Sequence, residues 1–534
     1  MDKYRKIEKS RSLVYSFTCL LIYSIPMQAQ PVIETPRLVV SIVVDQLRGD
    51  YLQYFSSVYG EKGFKRLMND GLNYHNVEFG FPNLNEASSI ATVYTGTYPF
   101  SHGICASEKF DVEHNRAESI VADNNYLGNY TSDNFSPLSL LSSTLGDELK
   151  IATGGNAAVF SVAPEAEEAI LSAGRYANAA FWLDNYNGKW ATTTYYKDIP
   201  WYIERFNATE AVGNFTEKTW SQAYSHYIGF PYYSKTGSFF TYRFGKSEKD
   251  RYIKIKQTPL INADVTALAG KFLEHGDFNN RNCPNLLMLT YYLGNYKFGD
   301  NINEFGYELQ DAYYCLDKEL EKLFDIIDKK VGMRNVLVML TSTGYYDYNT
   351  RFPNGYEPLG IFYPNRCTAL LNMYLAATYG QGNWVEGYFN NQIYLNRKLI
   401  ENKQLNQKDF ISSAAEFVAQ FSGIQDVTTL GQWLVDDAGR SAAFRRGMNK
   451  KYSGDLFIEL QPGWITATDA NSKNGQKYER STAILCPLFF LGEHIKKEHV
   501  YRKVKATEIA PTLSFILRIP PPNAAKDMPL QEFY

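Results

Sequence analysis

Cysteine is scarce and poorly placed for pairing. Six occur in 534 residues. Cys19 lies in an apolar leader, which leaves Cys105, Cys283, Cys315, Cys367 and Cys486, scattered and odd in number. There is no CxxC pair, so the usual short zinc and dithiol redox motifs are excluded, and the five read as small apolar core residues. A surplus of charge is missing too. The formal net charge is -3 and the sequence pI is about 6.2, which gives no basic face for a nucleic-acid partner. Internal repeats and low-complexity tracts are absent. Past the first thirty residues no apolar run is long enough to span a bilayer.

What is present begins with the N-terminus. Lys3, Arg5, Lys6, Lys9 and Arg11 form a basic start, Leu13 to Ile25 is largely apolar, and Met27-Gln28-Ala29 ends in a small residue. This order predicts a signal peptide cleaved near Ala29 and an exported, periplasmic or cell-envelope protein with no transmembrane span after its removal. The remaining chain is apolar and aromatic enough to bury a large core. Leu38 to Val44 is a nearly continuous β-branched run stopping at Asp45, the pattern of a strand buried on both faces of a parallel sheet. Asp45 then sits at the carboxyl edge, where open α/β sheets bind ligands. Strands are expected again at 157–162, 285–291, 335–341, 455–460 and 488–491. Helices are expected at 87–95, 137–150, 308–331 and 407–421. The alternation predicts a doubly wound, mostly parallel α/β sheet. Two Tyr-rich stretches, 176–245 and 345–405, lack this rhythm and are expected to be inserted cap regions over the carboxyl edge, whose aromatic rings pack the cap's own core, with stacking on sugars or bases as the alternative.

Several motifs carry a resemblance. "VVDQLRGDYL" (Val43 to Leu52), "GFKRLMNDGLNYHNVEF" and "ATVYTGTYPFSHGI" (Ala91 to Ile104) resemble the alkaline phosphatase superfamily, especially its periplasmic single-chain phosphatases and its type I phosphodiesterase/nucleotide pyrophosphatase group. So do the segments Phe181 to Asn207, Leu309 to Thr341 and Thr507 to Glu532. The implied organisation is a signal peptide over 1–29 and a core in three parts, 30–175, 283–344 and 406–534. Between them lie a cap insertion at 176–282 and a second insertion at 345–405.

The resemblance implies two zinc ions on six Asp and His side chains and a Thr or Ser nucleophile at a helix N-terminus. Carried over position by position, the pattern breaks. Asp45 matches the first ligand. Counting back from Tyr94-Thr95-Gly96, the nucleophile falls on Glu86, beside Asn85. Ser88 and Ser89 lie further along the helix. Tyr292 and Tyr296 stand at an Asp and a His, Thr343 and Gly344 at an Asp-His pair, and Leu485 at the last His. The phosphate-contacting Asn falls on Ser107, and a Lys and an Arg fall on Glu165 and Glu167, which would repel a phosphate. His102 belongs to the loop scaffold, and Asp347 is a further candidate lining residue. The implied protein is a pseudoenzyme whose vestigial pocket comprises Asp45, Asn85, Glu86, Ser107, Tyr292, Tyr296, Thr343, Gly344 and Leu485. It would bind or scaffold an envelope ligand or protein without zinc. A single Ca²⁺ or Mg²⁺ on Asp45 and Glu86 is left open, as is the alternative of a divergent metal-dependent hydrolase of phosphoric or sulfuric esters.

Overall fold

The computed structural model describes residues 35–534 apart from 197–198, 225–238, 277, 279–281, 295–305, 347–357, 436–438, 450, 468–476 and 479–483. The sheet is built around β1 (Leu38–Asp45), which is buried along its whole length. In chain order its companions are β2 (Leu72–Tyr74), β3 (Gly128–Asn129), β4 (Val159–Ala163), β5 (Ala179–Leu183), β6 (Trp190–Thr193), β7 (Asn285–Tyr292) and β8 (Val336–Ser342). Four further strands, β9 (Val385–Phe389), β10 (Gln392–Leu395), β11 (Ile424–Thr429) and β12 (Leu456–Leu460), form a separate sheet. The last two, β13 (Leu488–Leu491) and β14 (Glu498–Val500), return to the first.

The central sheet runs β14-β2-β13-β8-β1-β7-β4-β5-β6-β3. Its middle is parallel: β1 pairs in parallel with β7 and β8, and β4 with β7 and β5. Antiparallel pairs, β8 with β13 and β5 with β6, begin the two flanks. Helices cover both faces. On one, α1 (Glu86–Thr95) reaches β1 through the Tyr94 hydroxyl, 2.9 Å from Ser41 Oγ, and packs against α2 (Ala166–Ala173). After α3 (Arg251–Lys256) comes α4 (Pro259–His275), on the other face, where Phe272 meets Phe160 and Phe181. Packed along α4 is α5 (Gly306–Lys330), the helix that carries the chain from β7 to β8. This is the doubly wound, mostly parallel architecture the alternation predicts.

The Tyr-rich stretches are placed differently from the expectation. Residues 176–245, read as cap, supply β5 and β6 to the central sheet and only then leave it, through a hairpin of Glu217–Ser221 with Thr241–Gly245. The second insertion extends well past residue 405. The order β9-β10-β12-β11 makes an antiparallel sheet. It is joined by α6 (Pro364–Tyr379) and α7 (Gln407–Val418), and later by α8 (Leu430–Val435) and α9 (Gly439–Arg446). Leu371, Leu375, Trp384, Ile393, Phe410 and Leu456 give this module its own core. The boundary follows burial: residues 407–460 pair with 385–395, not with the strands around β1. Phe110 and Gly387 touch where this module meets the first part of the chain.

Candidate functional site

Register builds the floor of the site. β1 and β7 align Asp45 with Tyr292, and β1 and β8 align Val44 with Ser342, so Asp45, Tyr292 and Thr343 end neighbouring strands at one carboxyl edge. The Thr343 hydroxyl donates to Asp45 Oδ1 at 2.8 Å, and Gln46 bonds the same carboxylate through backbone and side chain. Gln46 adopts φ 62, a left-handed conformation costly for a residue with a side chain. Such strain persists only where its surroundings hold it.

The wall is the start of α1. Asn85 caps the helix, its Oδ1 accepting the Ala87 N–H at 3.0 Å, and Ser88 completes a capping box. Gly96 closes the helix in the left-handed conformation that favours glycine. With its oxygen used as cap, the Asn85 amide nitrogen is free to donate to Glu86 Oε2 at 2.8 Å. Ser107 shares its one hydroxyl proton between Glu86 Oε1, at 2.8 Å, and Asn85 Oδ1, at 2.9 Å. Glu86 is therefore the first residue of a helix, where the amides favour negative charge, with a donor on each oxygen. Ser88 and Ser89 are buried, and Ser88 Oγ is committed to the Asn85 backbone. His102 is buried and fully bonded, to Thr92 Oγ1 and to the Ile104 N–H, and burial pushes its imidazole down to about 3. It holds the loop together as a neutral ring.

Burial, and then the charge of Glu86, raise the Asp45 carboxyl above its usual range. Burial also raises Glu86. Three residues at the start of α2 join them. Glu168 is buried and held well above the ordinary range by burial, then by Asp45, Glu165 and Glu86. Burial lifts Glu167, which accepts a hydrogen bond from Ser119, to about 7. Glu165 meets Lys256 Nζ at 2.7 Å, and that lysine is 3% exposed. A chain of carboxyl groups thus runs from β1 to α2, with an interior ammonium at one end. Such a site holds protons and offers hydrogen bonds, and it opposes entry of a phosphate.

Asp45, Asn85, Glu86, Ser107 and Thr343 are brought together by hydrogen bonds and charge. Tyr292 aligns with Asp45, but its backbone is clamped by Asn262 and its ring lies over Gly294. Gly344 has φ +66 and Phe79 fills the space a Cβ would take. Leu485 is 51% exposed and its carbonyl binds the Gly49 N–H. Tyr296 and Asp347 lie outside the described residues. Sequence reasoning missed Gln46, Glu168 and Lys256. The acidic run Glu165 to Glu168 signals the second of these, whereas nothing in "RYIKIKQTP" marks the third.

The residues at the six ligand positions do not fit a pair of zinc ions. At the positions the resemblance assigns to ligands, two phenols, a hydroxyl, a glycine and a leucine stand where zinc takes imidazole or carboxylate, and Thr343 already satisfies an Asp45 oxygen. Among the described residues no group of three His, Cys, Asp or Glu side chains is arranged to hold a metal. Among the described residues, Cys105, Cys283, Cys315, Cys367 and Cys486 form no disulfide.

A profile of the type I phosphodiesterase / nucleotide pyrophosphatase family matches residues 39–483. A "Calcium-transporting ATPase" of Myroides odoratus is 28% identical over 98% of this chain and 99% of its own. Alkaline phosphatase PafA of Elizabethkingia meningoseptica is 28% identical over 93% and 94%. The crystal structure of wild-type PafA superposes with a TM-score of 0.78 at 27% identity, covering 95% of this chain and 99% of that one. A solved variant of PafA carries substitutions at a threonine, an asparagine, a lysine and an arginine. The first two are spaced as Glu86 and Ser107 are, and the last two as Glu165 and Glu167 are.

Proposed function

The chain belongs to the type I phosphodiesterase / nucleotide pyrophosphatase family of the alkaline phosphatase superfamily, and from that premise we propose that it is an exported, non-catalytic member. In this reading its altered pocket binds an envelope ligand or protein partner, or serves as a scaffold. One observation carries the reading: at the helix start where the superfamily holds an attacking hydroxyl, Glu86 presents a carboxylate clamped by Asn85 and Ser107 and repelled by Asp45. The equal spacings in the PafA variant support the same correspondence, with Ser107 for the asparagine and Glu165 and Glu167 for the two cations. A buried carboxyl group that tends to keep its proton is a poor nucleophile for phosphorus, and a cluster of such groups supplies no cation to gather a phosphate. At the described positions the resemblance assigns to ligands, only Asp45 keeps a zinc-type donor, and its Oδ1 accepts from Thr343.

Zinc analysis of the purified protein, combined with a phosphoesterase screen that includes p-nitrophenyl phosphate and a phosphodiester, tests this. The expected result is neither stoichiometric zinc nor turnover. Two zinc ions per chain with turnover would overturn it in favour of a divergent metal-dependent ester hydrolase. Export is read from the basic and apolar N-terminus. Fractionation and N-terminal sequencing of the mature protein should give an envelope protein beginning near Gln30. Among the described residues no helix is long and apolar enough to cross a membrane.

A further inference from the structure

A large cavity among the described residues lies outside the carboxyl cluster. It is a trench of about 1150 Å³ along β11 and β12, between α7 and the pair α8 and α9, with Asn83 of the loop before α1 at its edge. Phe457 and Phe444, both half-buried, face it above the buried Trp433, whose ring lies 4.0 Å from Phe457 and 4.7 Å from Phe444. Asn83, Asn390, Gln407, Ser412 and Ser441 supply amide and hydroxyl groups to its walls. The lining carries a slight excess of negative charge: Arg397 is engaged with Asp455 at 2.8 Å, and Lys408 lines the trench together with Asp426 and Glu459.

We infer that this trench binds a neutral oligosaccharide. Its volume exceeds the roughly 300–1,000 Å³ of sites for single small molecules, so an extended occupant fits better than a monomer. Aromatic faces suit the C–H faces of pyranose rings, and the amides and hydroxyls suit their hydroxyl groups. Carboxylates outnumber cations in the lining, which disfavours nucleic acid and other polyanions. A peptide would need to pair with β11, an edge strand. The pairing of that strand with β12 is irregular between Ile424 and Asp426, its edge carries exposed Asp426, and the Thr429 N–H is already bonded to Gln432. Bulges and charges of this kind keep other strands off an edge. The inference is independent of the fate of the Glu86 site.

Calorimetric titration of the full-length protein with neutral hexasaccharides of glucose, mannose, xylose and N-acetylglucosamine tests it, alongside a heparin fragment and an unstructured peptide. The expected result is saturable binding of at least one neutral sugar, changing little between about 50 and 500 mM salt. Phe457→Ala should weaken it by about tenfold or more, as loss of an anchoring ring does. Asn390→Gly, at a position already in a left-handed conformation with φ 48, removes an amide without strain and should weaken binding while leaving the circular dichroism spectrum unchanged. Binding of none of the four sugars, preference for heparin or the peptide, or affinity indifferent to both substitutions would overturn the inference.

Discussion

Glu167 and its neighbours make the site's stability depend on pH in a definite direction. Burial lifts Glu167 to about 7 from an ordinary 4.5 and raises Asp45, Glu86 and Glu168 as well. Near neutrality the folded chain therefore holds protons that the unfolded chain has released. The stability this supplies is complete below the unfolded values and is lost as pH rises through the folded ones. Melting temperature should fall between about pH 5 and pH 8, and Glu167→Gln should flatten the decline. A melting temperature that climbs over this window would contradict the assignment of raised values. How far these residues could be read beforehand followed their distance from a motif. Counting back from Tyr94-Thr95-Gly96 along one helix, where spacing is rigid, leads to Glu86. Lys256 comes from a helix far away in sequence, and only the folded chain brings it to Glu165.

The start of α2 and the end of α3 form one electrostatic unit. Lys256 is nearly inaccessible while the Glu165 side chain is 45% exposed, so water screens one partner only. Lys256→Met should destabilise by about 1–3 kcal/mol, below the 3–5 of a fully buried broken pair because Glu165 keeps part of its hydration. Adding Glu165→Gln should recover most of the loss, a coupling readable in a double-mutant cycle by urea unfolding. At the start of α1, Asn85→Ala removes a cap worth about 1 kcal/mol and also a donor to Glu86, so it should cost more than an ordinary cap deletion in the same assay. Elements were legible where composition matched their surroundings. β1, β7 and β8 are branched apolar runs, and α5 has a clear wet side. β5 and β6 were read as cap because Trp182, Trp190 and nearby tyrosines look like insertion chemistry. Yet their rings fill the sheet's flank, with Trp182 and Trp190 almost wholly buried.

Across the whole molecule, the residue changes on which the proposed non-catalytic reading rests reinforce one another, and this bears on whether a phosphoesterase site could be built here. In the proposed reading, Glu86→Thr would place a hydroxyl at the helix start without a ligand set for a dication to lower its pKa or balance a phosphate, and with Glu165, Glu167 and Glu168 still supplying no cation for one. The single variant should show no phosphoesterase turnover above background and no stoichiometric zinc. Restoring ligands meets a packing obstacle. A side chain at position 344 would sit at φ +66 with its Cβ 2.6 Å from the Phe79 ring, so Gly344→His should cost at least about 2 kcal/mol. That cost should shrink when Phe79→Ala opens the space, measured by the same unfolding curves. If Gly344→His proves neutral, the cavity is more open than its packing implies and reversion becomes a matter of donors alone. If it is costly and relieved by the second change, the phenylalanine has closed over the lost ligand. The fold is then kept by the central sheet and its two helical layers, whose strand register is indifferent to what stands at the strand ends.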